Sequence, residues 1–541
     1  MHGLIMERQL LIIDILRHAM RNHPRVEIVS QPVEGGRHRY TYADAWSRVC
    51  RLARVLERLG ARPGDRVGTM AWNTYRHFEL YYATAGGGTV CHTINPRLFP
   101  DQLAYVINHA GDRWLFVDTS FVPIVEQLAP RLSTVEAVIV LCGRERMPDT
   151  DLANVLCYED LLADEADDYP WPELDERTAS GLCYTSGTTG SPKGVLYSHR
   201  GTVLHAMAFG APDCNELSMR DTIMPVVPMF HVNAWGSPFA APMYGARLVL
   251  PGPHMLDGAV LRGLINEERV TIAMGVPTIW MSLMQYLKNA GGDLAPLNRV
   301  VIGGSACPAA LMDVLRAWGV RVRHAWGMTE TSPLGIVNTP RPEFLDWPEE
   351  AQRAMEARTG HAFFGMETKI VDGDDDELPW DGRSVGTLKV RGPWVCSGYF
   401  KDDGESRAHD GDGWFDTGDV ATIDEYGFVQ ITDRNKDMIK SGGEWISSIE
   451  LENIAVAFDG VAEAAAVAVE HPKWGERPLL VVVREPGTEV DDNALLDFFA
   501  GKVVKWWVPD AVEFVDEIPH TATGKISKLA LRERFRGYRW Q

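Results

Sequence analysis

The chain has no Cys-x-x-Cys pair, no excess of Lys and Arg, and no run approaching the ~18 consecutive apolar residues of a membrane-spanning helix. Each absence removes a class of function. The eight cysteines, at 50, 91, 142, 157, 183, 214, 307 and 396, stand singly, which argues against a structural zinc site or a disulfide framework and fits reduced thiols in the cytoplasm. With 53 Lys and Arg against 74 Asp and Glu, the net charge of −21 argues against nucleic acid and against an anionic membrane surface. Ser305 sits in Gly-x-Ser-x-Cys, and the Gly-x-Ser-x-Gly at 382–386 leads into a short β run instead of opening a helix, so an ester hydrolase lacks its strand–elbow–helix. Residues 1–16 carry a greasy patch interrupted by Glu7, Arg8 and Asp14, without a basic leader or a small-residue cleavage site. They read as an amphipathic first helix that packs on the body or on a second copy, not as a signal peptide. No internal repeat or low-complexity tract is visible.

What is there is a globular composition, 45% apolar and 23% charged over 541 residues. That length implies roughly two to four domains. Thr41 reads as an N-cap, followed by Trp46, Val49, Leu52, Ala53, Leu56 and Leu59 at helical spacing, with Gly60 ending the run. Strand-like runs at 66–71, 114–118, 137–141, 180–184, 222–230, 247–250, 271–276, 299–302 and 320–325 alternate with helical stretches such as 101–109. This pattern predicts α/β sandwiches of mostly parallel sheets. After about residue 365 short β runs with Gly and Asp turns (368–372, 386–390, 421–423, 426–431) suggest a distorted β-barrel. A polar stretch at 433–437 precedes a small α+β segment with strands at 464–469, 479–483 and 512–515 and a helix at 493–499.

Between the strand at 180–184 and the apolar residues after 194 lies Tyr184-Thr-Ser-Gly-Thr-Thr-Gly-Ser-Pro-Lys-Gly-Val195. Gly187, Gly190 and Gly194 allow backbone that a Cβ would forbid, so that N–H groups, hydroxyls and the Lys193 ammonium can converge on a polyanion, with phosphate the natural candidate. It is not a Walker A loop, because Lys193 follows Pro192 instead of the last glycine. The order resembles the phosphate loop of adenylate-forming enzymes, which include acyl-CoA synthetases, luciferases and the adenylation domains of peptide synthetases.

Further stretches match that family in order along essentially the whole chain. They are His324-Ala-Trp-Gly-Met-Thr-Glu330, Asp416-Thr-Gly-Asp419, Asp433-Arg-Asn-Lys-Asp437 running on to Trp445, and Pro519-His-Thr-Ala-Thr-Gly-Lys525. The likeness is greatest to fatty acyl-CoA synthetases, and among them to medium-chain acyl-CoA synthetases and 3-methylmercaptopropionyl-CoA ligases. It implies a large N-terminal AMP-binding domain over 1–433, with αβα sandwiches and a β-barrel around 365–433. A mobile α+β domain over 434–541 would turn about a hinge near 433–437.

The resemblance also implies roles. Thr185, Ser186, Gly187, Thr188, Thr189, Gly190 and Lys193 would hold the ATP phosphates, with Thr185 beside the metal. Trp326 would stack beside adenine, in a nucleotide segment that includes His324, Ala325, Gly327, Met328 and Thr329, while Glu330 would hold Mg²⁺. Gly303, Gly304 and Ser305 would let a flat base or an acyl chain approach closely. Asp419 would bind the ribose hydroxyls, as a carboxylate does well. Arg434 would be a further nucleotide contact and Lys436 the hinge position, where many relatives carry Asp. Lys440, Gly442, Gly443, Glu444 and Trp445 would border a channel for the arm of coenzyme A. Lys525 would be the catalytic lysine, a compact charge beside the phosphoryl centre. His231 would sit at the reaction centre and Trp235 would gate an acyl tunnel lined also by Gly303, Pro333 and Leu334. A buried structural histidine and a core tryptophan remain alternatives for those two.

The expected activity is ATP-dependent acyl-CoA synthesis through an acyl-adenylate. The acid would be short to medium and aliphatic, 3-(methylthio)propionate being one candidate, in a cytoplasmic homodimer. A long-chain fatty acid, a different acceptor of the acyl group, and a non-catalytic nucleotide-binding protein are the competing readings.

Overall fold

The computed structural model describes residues 3–185, 191–402, 409–442, 444–521 and 525–540. Among them the strands form three sheets. Seven strands make the first, in the spatial order Val155–Cys157, Ala137–Val140, Asp112–Val117, Arg66–Met70, Val90–Thr93, Ala179–Tyr184 and Gly194–Ser198. All pairs in it are parallel except the last. The second sheet has thirteen strands. Its parallel half orders Glu27–Ser30, Arg247–Leu250, Thr222–Pro225, Ile272–Gly275, Arg299–Gly303 and Arg321–Gly327. The strands from Leu334–Val337 to Phe428–Arg434, which take in the region around 365–433 expected to be barrel-like, continue this sheet by antiparallel pairing. The third sheet is built from residues 439–514 and shares no strand with the others.

The helix Tyr75–Gly86 shows why the first two sheets stack. All of its residues are buried. Phe78, Tyr81 and Tyr82 join Val67 and Trp114 of one sheet and Ile28 and Leu248 of the other in a single core. A helix apolar nearly all round can only sit between layers. Its one internal carboxylate, Glu79, is fully buried and is met by the Arg48 guanidinium at 2.6 Å and the Tyr158 hydroxyl at 2.6 Å. Such pairing is what allows a charge inside a core.

The helix expected after Thr41 spans Tyr42–Arg58. Thr41 Oγ1 accepts from the Asp44 N–H, and the Asp44 carboxylate accepts from the Thr41 N–H at 2.9 Å, a complete capping box. The first helix, Ile12–Asn22, buries Ile12, Ile13, Ile15, Leu16 and Ala19 against the body, whereas Leu4, Ile5 and Met6 are exposed. One strand is shorter than its sequence suggests. The run 222–230 pairs only to Pro225. Beyond it the Asn73 side chain donates to the carbonyls of Pro225 and Val227 and accepts from the Met229 N–H, replacing the sheet with a side-chain bracket. Apolar runs of this kind do not reveal where their backbone partners lie.

Replacing Thr41 with Ala removes the cap and should cost about 1 kcal/mol, seen as an earlier unfolding midpoint. An unchanged midpoint would show that the capping box carries no stability.

Candidate active site

The carboxyl ends of parallel strands are where an open α/β sheet leaves room for a ligand. Here the ends after Pro225, Gly275, Gly303 and Ala325 border one cavity of about 1340 Å³. The strand Arg321–Gly327 carries Ala325, Trp326 and Gly327 into it and the following turn adds Met328, Thr329 and Glu330. The ladder shifts register between Trp326 and Gly327. A Cβ on Gly327 would lie 1.7 Å from the Pro333 carbonyl oxygen, so only glycine fits that bend. Trp326 Nε1 donates to Asp419 Oδ2 at 2.7 Å, and Arg434 Nε lies 3.2 Å from Asp419 Oδ1. The ring that ends one strand and the carboxylate of another are thereby held in one plane of contacts beside the cavity.

Glu330 is buried, and the Tyr399 hydroxyl donates to its Oε1 at 2.8 Å. Burial raises its carboxyl above the usual range, against the pull of that hydrogen bond. The Tyr399 ring also lies 4.7 Å from the Lys193 ammonium. Among the described residues no group of three or more His, Cys, Asp or Glu could hold a metal alone. A single enclosed carboxylate suits a hard cation that arrives already bound to phosphates, and Mg²⁺ fits that donor set.

Lys525 enters the cavity from the other side, on a hairpin closed by Thr521 N–H to Lys525 carbonyl at 2.6 Å and Ser527 N–H to Pro519 carbonyl at 2.7 Å. Its Cε comes within 3.8 Å of a Cβ placed on Gly304, which adopts φ +85°. Burial, with Arg434 beside it, lowers the Lys525 ammonium to about 8, although Asp419 and Glu330 favour its charge. His231 faces the same ammonium. Burial and Lys525 together push the imidazole down to about 3, so it is neutral at physiological pH. His520, two positions after Ile518, places Nε2 2.6 Å from Glu463 Oε1 at the cavity wall.

Trp235 lies against Gly303 and Gly304, 3.5 Å from a Cβ placed on the first. The backbone that aims it is unusual. Val232, Asn233, Ala234 and Trp235 all have φ between +45° and +57°, followed by Gly236 at +83°. A left-handed run without glycine is strained, most of all at a β-branched residue. It is anchored by the Ala234 N–H on the Pro228 carbonyl at 3.3 Å and by the Ser237 hydroxyl on the Ala234 carbonyl at 2.8 Å. The cavity is also walled by Phe209, Val226, Met274, Val301 and Leu334.

Of the residues singled out in the sequence, Thr185, Lys193, His231, Trp235, Gly303, Gly304, the segment 325–330, Pro333, Leu334, Arg434 and Lys525 line this one cavity. Ser305 is exposed and off it. His324 is buried off the cavity, and its Nδ1 lies 3.1 Å from the Arg358 carbonyl oxygen. Lys440, Gly442 and Trp445 belong to a hairpin of the third sheet away from the cavity, where the Lys440 ammonium sits 5.3 Å from the Trp445 ring. Lys436 is exposed between the strand Phe428–Arg434 and that hairpin. Ser186, Gly187, Thr188, Thr189, Gly190 and Gly443 lie outside the described residues, as does the Glu444 side chain. Tyr399, Glu463 and His520 were not legible as site residues. His520 stands inside the lysine motif and could have been flagged, whereas Tyr399 and Glu463 reach the cavity only through the fold.

The model of the AMP-binding enzyme family matches residues 16–400, and that of the AMP-binding enzyme C-terminal domain matches 450–525. A 3-methylmercaptopropionyl-CoA ligase of Ruegeria pomeroyi is 51% identical over 99% of both chains. A medium-chain-fatty-acid–CoA ligase of Ectopseudomonas oleovorans is 49% identical over 99% of this chain and 98% of its own. Among solved structures, the anthranilate CoA ligase AuaEII in complex with anthranoyl-AMP superposes with a TM-score of 0.86 at 24% identity, covering 97% of each chain. That last likeness speaks for the fold.

A reaction that uses the Lys525 ammonium must slow as pH rises through about 8, because the group is charged below that value and neutral above it. The expected pH profile of kcat/KM, which reports the free enzyme, has a descending limb there that Lys525→Arg moves upward. A profile flat to pH 10 would remove the ammonium from the chemistry.

Proposed function

The chain belongs to the AMP-binding enzyme family and is an AMP-forming acid–thiol ligase; on that premise we propose that it joins a short-to-medium aliphatic acid to coenzyme A in two steps at this cavity. The observation that supports the site is the convergence of Lys525, Glu330, Asp419 and Arg434 around one point, with neutral His231 beside them. In the first step the carboxylate of the acid attacks the α-phosphorus of ATP and pyrophosphate leaves. Lys525 places a full positive charge where negative charge develops on the phosphoryl oxygens. Asp419 takes the ribose hydroxyls, releasing Trp326 to lie along the base, and Thr185 with Lys193 receives the phosphates. Mg²⁺ bound at Glu330 and the Thr185 hydroxyl would neutralise part of the phosphate charge. Positioning and fixed charge carry this step, with no covalent intermediate on the protein.

In the second step the thiol of coenzyme A attacks the acyl carbon of the adenylate and AMP leaves. Lys525 has no partner in that chemistry, and Lys440, Gly442 and Trp445, off the cavity here, would with Gly443 and Glu444 border the thiol's path after the residues beyond 434 turn about Lys436. The domain division is accordingly proposed as 1–433 and 434–541. The walls at Phe209, Val226, Met274, Val301 and Leu334 are aliphatic and aromatic, which supports an aliphatic acid. The names of the two relatives support 3-(methylthio)propionate and medium-chain fatty acids. All eight cysteines are free, which supports a reducing cytoplasm, and exposed Leu4, Ile5 and Met6 support a homodimer. No described helix is long and apolar enough to cross a membrane.

Lys525→Ala should cut acid-dependent ATP–pyrophosphate exchange by about a hundredfold or more, while acyl-adenylate supplied ready-made still yields thioester at near the parent rate. Equal loss in both steps would assign the lysine elsewhere. Trp235→Ala should raise kcat/KM for acids longer than the preferred one without changing the KM for ATP. A panel of straight-chain acids from C3 to C16 with 3-(methylthio)propionate reads this out, and an unaltered acid profile would show that Trp235 is not the gate. AMP release that ignores coenzyme A would point to another acceptor.

A further inference from the structure

The helix Lys528–Arg534 starts directly after the hairpin that carries Lys525. Two of its side chains point back to the segment 433–437. Lys528 Nζ lies 2.8 Å from Glu452 Oε1 and donates to Ser448 Oγ. Ser448 gives its N–H at 2.7 Å and its hydroxyl at 2.5 Å to the same oxygen, Asp433 Oδ2. One turn along the helix, Arg532 Nη1 donates to Asp437 Oδ1 at 2.7 Å and to the Lys436 carbonyl at 3.1 Å.

These contacts join two bodies. Asp433 is 1% exposed and belongs to the strand Phe428–Arg434 of the thirteen-stranded sheet. Ser448 and Glu452 lie on the helix Ser448–Val456, whose Leu451 and Ala455 share a core with Ala464, Ala466, Leu480 and Val482 of the third sheet. Ser447 adds a second crossing, its hydroxyl donating to the Thr432 carbonyl at 2.6 Å. Although burial opposes its charge, Glu452 and Asp433 hold the Lys528 ammonium above its ordinary range. A cation so largely enclosed depends on these partners for its charge, so loss of one weakens the others.

We propose that Lys528 and Arg532 are positioning residues for Lys525, clasping the helix behind the catalytic hairpin to the hinge segment 433–437. The clasp rests on the two-step ligase reading. Because Asp433 stands on the large-sheet side of the hinge and its partners on the other, any turn about residues 434–436 must undo the Asp433–Ser448 bonds. The same movement that breaks them withdraws Lys525 from the cavity. The ammonium is thus presented only while the hinge is in the state that closes the clasp, and the first half-reaction is selected over the second by these contacts.

The test compares Lys528→Met, Lys528→Arg and Asp433→Asn with the parent enzyme, measuring ATP–pyrophosphate exchange and thioester formation from supplied acyl-adenylate in the same preparation. The ratio of the two rates cancels the fraction of folded enzyme. Lys528→Met and Asp433→Asn should lower exchange about tenfold relative to thioester formation, the size expected when a reacting group is misplaced, and Lys528→Arg should recover most of it. Equal loss in both rates, or none, overturns the clasp. Amide hydrogen exchange over 433–437 and 519–528 reads the contact without any ATP chemistry. Faster exchange in Lys528→Met supports the clasp, and unchanged protection overturns it. A parent enzyme that shows no pyrophosphate exchange with any acid overturns the ligase reading, while hydrogen exchange still decides the clasp.

Discussion

The structure turns on placing a lysine ammonium largely out of water next to a guanidinium. Burial and Arg434 both work against the charge on Lys525, and only Asp419 and Glu330 work for it. That balance leaves the ammonium charged but more easily deprotonated than an ordinary lysine until a polyanion arrives, when phosphate oxygens would add further counter-charge. Everything else positions the four partners. Asp419 comes from the antiparallel end of the thirteen-stranded sheet, Glu330 from the turn after its last parallel strand, and Lys525 from beyond the third sheet. The sheet's continuity matters here. Because the strands after residue 360 extend the parallel half by hydrogen bonding, the Trp326–Asp419 contact joins two strands of one sheet and does not cross to an independent module.

Much of the site was legible because its chemistry is compressed into short motifs at strand ends. The segment 325–330, Lys193 and Lys525 each carry enough local signal to be singled out, and all line one cavity. The Thr41 cap was legible because a capping box is satisfied within four residues. What escaped depends on distant partners. Nothing around Tyr399 predicts that its hydroxyl meets Glu330, and nothing in the run 222–230 says that Asn73 takes over its carbonyls after Pro225. His324 sits in the same motif as Trp326, and simple strand alternation would give residues two apart one face, yet His324 meets the Arg358 carbonyl and only Trp326 lines the cavity. Motif membership and cavity membership are separate properties.

The left-handed turn at 232–235 ties stability to the placement of Trp235. Four non-glycine residues held at positive φ store on the order of 1 kcal/mol each, a sizeable part of what keeps a domain folded. Glycine at any of the four relieves that strain, so a search for more heat-resistant variants will keep finding this turn. The relaxed backbone no longer fixes the Trp235 ring against Gly303 and Gly304. With Trp235 as the proposed gate, thermostability gained there would be drawn from the discrimination between one acid and the next, and a hardened variant would become a more promiscuous one.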